Sequence, residues 1–264
     1  MDMGKGGGTS TESARLRGFT LVELMVALVA GALVVAASFR LLDQNRKAAD
    51  LISNRGDFRD KATLATTQVN RAITMAGFGI SRMEVLKRSA GSLTDTLTVF
   101  SNPGERRTTL VDTARAGLSS FRVFKDSGLS VGGWIGITDS LKHEYARVLS
   151  IEKDLIEGYQ VQVYGHLANT YLPGVPDIYP VKRERYFIDP VDSTLVRYVD
   201  DRRLSLASGV TEFRVQLLTQ AGYPASVHGD IRVVTFSLTG RYKAPAGTPS
   251  SMSFSSTVIP RNIL

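Results

Sequence analysis

The 264-residue chain contains no cysteine. That excludes a disulfide framework, a cysteine nucleophile and thiolate metal sites. It leaves the compartment open, because a large enough core needs no staples. Proline is missing from the whole N-terminal part: all nine prolines fall between Pro103 and Pro260. The first stretch is therefore free to form a long uninterrupted helix. The remainder, with proline and glycine at intervals, reads as strands and loops. Histidine is scarce. His143, His166 and His228 each lie near a loop and no pair has ligand spacing, so no metal site is expected. Trp134 is the single tryptophan and is expected to pack in the core rather than stack on a ligand. The net charge is +7, but its basic residues are spread along the chain. They read as a solvated surface, and with no recognition motif present nucleic acid is not an expected partner.

What is present begins with a polar, glycine-rich segment, "MDMGKGGGTSTESARLRG", over residues 1–18. It buries no core and reads as a tail or leader. Its "GKGGGTS" lacks the spacing and the preceding strand of a phosphate loop. From Phe19 to Phe39 a single charge interrupts 21 otherwise uncharged residues. At ~1.5 Å per residue this run spans ~30 Å, about one hydrocarbon core. Arg15 and Arg17 precede it and favour a cytoplasmic N-terminus, with the body of the protein outside. A secretory signal would have a shorter apolar region, and here helical patterning continues directly past "VVAAS". The single charge is Glu23. An acidic group at mid-membrane costs roughly 2.5–3.5 kcal/mol, and less near the interface. Glu23 therefore either stays near the headgroups or finds a positive partner inside an assembly.

Gly18–Leu24, "GFTLVEL", resembles the processing site of type IV prepilins: glycine, phenylalanine, a short apolar stretch, then glutamate, with a basic leader before and an apolar helix after. The resemblance implies that a prepilin peptidase cuts between Gly18 and Phe19 and methylates the new Phe19 amine. It also gives Glu23 a role in subunit assembly. The carboxylate of one subunit pairs with the Phe19 ammonium of a neighbour as the helices stack. Such pairing is strong in low dielectric and an unpaired charge is penalised there, so Glu23 becomes a registry device.

Beyond Phe39 the sequence turns polar but keeps an apolar stripe: Ala48, Ile52, Phe58, Ala62, Ala65, Val69, Ala72 and Ala76, mostly three or four residues apart. Asp50, Arg59, Lys61 and Asn70 mark the opposite side. Gly56 marks a bend, and "MAGFG" offers Gly77 or Gly79 as the C-cap. A helix from about Thr20 to Ala76 would be ~85 Å long, which suits a filament subunit with a half-exposed spine.

From residue 94 the period changes to two. Strands are expected at 96–100, 121–124, 134–138, 145–151, 159–164, 185–189, 195–199, 211–218, 231–238 and 251–258. In "TEFRVQL", Phe213, Val215 and Leu217 should face the core, and "IDPVDSTL" should form a hairpin turn. One long helix followed by many strands gives an α+β fold, with the helix packed on an antiparallel sheet. The domain reading is a leader at 1–18, a membrane and assembly helix at 19–39, an amphipathic helix at 40–79 and a β-rich head at 80–264. Residues 85–184, without a motif, are a candidate insertion in that head.

The stretch "RYFIDPVDSTLVRYVDDRRLSLASGVTEFRVQLLTQAG", then "IRVVTFSLTGR" and "STVIPRN", together with the helix ending "ITMAGFG", is similar to PilW-type minor pilins and to the related J-type pseudopilins. That resemblance implies a non-enzymatic subunit that joins or primes the tip of a type IV pilus. A pseudopilin of a type II secretion system is the alternative. A mature chain of 264 − 18 = 246 residues favours the pilus. The implied partners are other minor pilins, the major pilin, the prepilin peptidase and the inner-membrane assembly platform, with no cofactor. The implied location is the inner membrane, then the pilus. "GFG" at 77–79 lacks the rest of a dinucleotide fingerprint, "DSGLSVGG" at 126–133 has too few carboxylates for a calcium loop, and no serine, histidine and acid grouping suggests a triad. Hydrolase activity in the head would mark an envelope enzyme instead, and salt-dependent DNA binding a DNA receptor.

Overall fold

The computed structural model describes residues 20–80, 84–91, 94–139, 141–154, 158–243 and 249–263. The chain divides into two compact units, Met1–Asp50 and Leu51–Leu264. The described part of the first unit is helical from Leu21 onward, and none of its side chains is buried. This is the start of helix α1, Leu21–Met75, which is continuous with no proline to interrupt it.

In the second unit α1 becomes one wall of the core. Phe58, Ala62, Ala65, Val69, Ala72, Ile73 and Ala76 are buried at three- and four-residue steps. Most are alanines. The stripe is shorter than the sequence pattern suggested. Ala48 and Ile52 are exposed, Ile52 by 70%. Asn70 is not on a purely solvated face either: its Oδ1 accepts a hydrogen bond from the Ser256 hydroxyl at 2.9 Å. The helix stops at "MAGFG". Gly77 takes φ +76°, and its N–H donates to the Phe100 carbonyl at 3.0 Å. A Cβ at Gly77 would lie 2.5 Å from the Asn262 carbonyl oxygen, so only glycine fits.

Among the described residues every ladder between the strands of the head is antiparallel. Strands β1 (Leu86–Ser89) and β2 (Thr96–Ser101) form a first pair. Then come β3 (Ser120–Val123), β4 (Trp134–Thr138), β5 (His143–Lys153) and β6 (Tyr159–Val163). The long β7 (Asp177–Asp189) is followed by β8 (Thr194–Val199) and β9 (Arg202–Ser208). Among the described residues these nine form one sheet, in which β7 is the hinge of the topology. Its first half, Asp177–Val181, pairs with β4, and its second half pairs with β2 and β8. A second, three-stranded sheet runs β10 (Val210–Leu218), β11 (Val233–Lys243), β12 (Pro249–Val258).

Two cores result. The larger lies between α1, the second sheet, and the part of the first sheet formed by β1, β2, β7, β8 and β9; Phe213 and Phe236 meet there edge to face at 6.3 Å. Phe213 and Val215 are fully buried and Leu217 half-buried, following the expected alternation. The smaller core belongs to β3–β6 and their loops, with Val123, Ile137, Val148 and Val161 fully buried. All ten expected strands appear. The sequence pattern missed β1, β9 and the first half of β7. "LKRS" and "RRLSLAS" are short of buried positions, and Pro180 disguises a strand that pairs with β4.

Two buried carboxylates tie the layers of the larger core together. Asp95 is fully buried and accepts from the Val215 N–H at 2.8 Å and from Arg88 Nε at 3.2 Å. Glu184, on β7, accepts from Arg197 Nε at 2.9 Å, Tyr186 Oη at 2.7 Å and Lys182 Nζ at 2.7 Å. Arg197 in turn donates to Gln68 Oε1 of α1 at 3.0 Å. Burial alone would raise both carboxyl pKa values. The hydrogen bonds outweigh it and hold both below the ordinary carboxylate range.

Candidate functional site

The candidate site is the first turn of α1. Thr20 precedes the helix and Glu23 lies in its first turn. Their side chains close a reciprocal box. Glu23 Oε2 accepts the Thr20 N–H at 2.9 Å and the Thr20 hydroxyl at 3.0 Å, while the Glu23 N–H donates to Thr20 Oγ1 at 3.3 Å. "TLVE" has the [ST]-x-x-E spacing that specifies such a box, a signal that sequence reasoning passed over. The box meets two of the orphan donors at the helix start, and it places the negative charge at the positive end of the helix dipole.

This arrangement bears directly on why a carboxylate sits in an apolar run. Glu23 is satisfied within its own chain through one oxygen. Among the described residues Oε1 takes no hydrogen bond, so the carboxylate keeps acceptor capacity for a further donor. Gly18 and Phe19, the expected cleavage pair, lie outside the described residues.

Around Glu23 the helix presents only apolar surface. Every leucine, valine, methionine and phenylalanine from Leu21 to Leu42 is more than half exposed. Each gains about 1.5–3 kcal/mol when fully removed from water, so a bare helix of this kind demands a lipid or protein environment. Among the described residues α1 is the one helix long and apolar enough to cross a membrane. Gly31, within this run, has nothing within 4 Å of where its Cβ would be. It therefore leaves a shallow notch for a neighbouring helix or acyl chain.

The residues set aside in the sequence fall elsewhere. His143 starts β5, His166 follows β6 and His228 opens a short 3₁₀ turn. Among the described residues no three histidine, aspartate or glutamate side chains gather as a metal cage. Trp134 is half-buried and packs against the edge of the larger core, and the Arg183 guanidinium sits over its ring at 4.3 Å. The stretch 126–133 forms the turn that leads into β4, with the Leu129 N–H bonded to the Asp126 carbonyl at 2.6 Å.

Residues 14–39 match the family described as "Prokaryotic N-terminal methylation motif". No curated protein matches the chain. The motif indicates a type IV pilin-like or pseudopilin-like protein, a structural rather than catalytic class, and it implies peptidase processing and pilin assembly machinery in general. With the exposed apolar helix, it suggests a protein anchored in the inner membrane. The long helix and antiparallel head agree with the pilin fold.

Proposed function

We propose that this protein is a minor pilin that enters a type IV pilus and primes or occupies its tip. The observation that carries the reading is Glu23 in the first turn of α1, whose exposed apolar first part bears the methylation motif. Cleavage between Gly18 and Phe19 would place a new ammonium immediately before Thr20. A positive charge at that end opposes the helix dipole and is poorly solvated near hydrocarbon. Methylation keeps that charge. The remaining acceptor capacity of Glu23 on an adjacent subunit relieves it, and the pairing sets the axial register of one helix against the next. The capping box holds the carboxylate in place before the partner arrives, so less ordering is needed at assembly.

The leader keeps the N-terminus in the cytoplasm and the head outside, and the partners are the other minor pilins, the major pilin, the peptidase and the assembly platform. The resemblance of the C-terminal strands to J-type pseudopilins keeps a secretion pseudopilus as the second reading. Mass spectrometry of the processed protein tests the first step. The expected mature chain starts at N-methylated Phe19; an intact Met1 or a cut near Ser38 overturns it. Crosslinking in cells then separates the two readings, by capture of pilus subunits or of secretion pseudopilins.

A further inference from the structure

A cleft of about 640 Å³ opens beside the middle of β7, where the two halves of the nine-stranded sheet meet. Four cations line it: Arg106, Arg147, Lys182 and Arg202. They come from four distant parts of the chain and are gathered by the β4–β7 pairing and by the β8–β9 hairpin. That hairpin turns on Asp200 and Asp201, both at positive φ (45° and 71°), as a tight two-residue turn requires.

The partners of these cations are unequal. Arg147 pairs with Asp201 at 2.9 Å and donates to the Gly132 carbonyl at 3.1 Å; Lys182 is held by Glu184 at 2.7 Å. Among the described residues Arg106 and Arg202 have no carboxylate partner. One carboxylate, Asp200, lines the cleft. Its Oδ1 already accepts the Arg183 backbone N–H at 3.1 Å, and burial raises its pKa. At Trp134, which also lines the cleft, two N–H donors are buried without an acceptor: Trp134 Nε1 and Nε of the stacked Arg183. Burial, then the neighbouring Arg185, lower the Arg183 pKa, while Asp201 acts against them.

The surplus cations ask for a compact group rich in acceptor oxygens. We propose that this cleft binds a small phosphate-bearing ligand, of the size of pyrophosphate or a sugar phosphate. Guanidinium forks grip phosphate oxygens two at a time, and several converging on one cavity favour a multivalent anion over a single carboxylate. Gly132 on the rim has open space where a Cβ would stand, and Gly128 makes room for the Arg106 side chain itself.

Trp134, the single tryptophan of the chain, reports on the cleft without any label. The full-length protein in zwitterionic nanodiscs is titrated with pyrophosphate, inorganic phosphate or glucose 6-phosphate, each against potassium chloride at matched ionic strength. The expected result is a saturable change in Trp134 emission with pyrophosphate, at least tenfold weaker in Arg106→Gln/Arg202→Gln. Both arginines are exposed and outside the core, and unchanged circular dichroism checks the fold of the variant. The arms with phosphate and glucose 6-phosphate distinguish a free anion from a phosphorylated sugar as the source of the group. A response no larger than that to the chloride control overturns the proposal. So does an equal response in the double variant, or binding of a single-stranded oligonucleotide without binding of pyrophosphate.

Discussion

Replacing Asp95 with alanine should destabilise the head more than any surface substitution. Asp95 is fully buried, and it joins the strand entering β2 to β10 of the other sheet. Its loss strands the Val215 N–H in the core, at a cost of about 1–3 kcal/mol. It also strips Arg88 of its counter-charge. Removing one member of a buried pair costs roughly 3–5 kcal/mol. The Arg88 side chain is 37% exposed, so water recovers part of that, and the lower end of the range, roughly 3 kcal/mol, applies. For a unit of this size that corresponds to a fall of roughly 6–12 °C in Tm.

The assay is thermal unfolding of the full-length protein in detergent micelles, followed by near-ultraviolet circular dichroism. Asp95→Asn keeps an acceptor for Val215 and should fall between wild type and alanine. The pH dependence has a definite sign. The folded pKa of Asp95 lies below its unfolded value, so its contribution is complete above about pH 3.9 and is lost as pH falls through the lower folded value. The gap between wild type and Asp95→Asn should therefore hold from pH 7 to about pH 4 and narrow only below that. A fall in Tm under about 2 °C for the alanine variant, less than 1 kcal/mol, would refute the reasoning. So would a gap that closes between pH 7 and pH 5.

Glu184→Ala should cost roughly 3–5 kcal/mol, because it leaves Arg197 half-buried without its carboxylate; hydrogen exchange should speed up in α1 around Gln68, and unchanged protection there would count against the network. Gly240→Ala would put a Cβ 2.0 Å from Phe58 Cζ, so overpacking should cost about 1–3 kcal/mol in urea unfolding, with part of the loss restored in Phe58→Leu/Gly240→Ala; additive losses would refute the direct clash. Glu23→Ala should still insert and be processed, since removing a charge makes insertion cheaper, while crosslinked complexes and surface pili decline. Normal complexes and piliation would mean that Glu23 does not set the register.

The N-terminal part of this protein was legible because its signals lie in adjacent residues. An apolar run of membrane length, a basic leader and a glutamate at a fixed offset need no partner to be read, and even the unremarked Thr20–Glu23 box is a spacing of three. Strands such as β10 were equally plain, since alternation along one strand records which face is buried. The helix stripe begins later than its period suggests, because Ala48 and Ile52 carry the right spacing but stay exposed. β9 was invisible for the opposite reason: its residues are mostly exposed, and its ladder with β8 makes it a strand.

Tertiary structure alone decided the fate of the charges and of the middle of the chain. Glu184 lies in a run, "KRER", that looks like solvated surface, yet it is buried because Arg197, Tyr186 and Lys182 converge on it. The four cations of the β7 cleft are just as scattered in sequence, and they meet because one strand pairs with β4 through its first half and with β2 and β8 through its second. A local pattern states which faces of an element seek burial. Which distant residues answer it depends on strand pairing between parts of the chain many tens of residues apart, and no single segment carries that free energy.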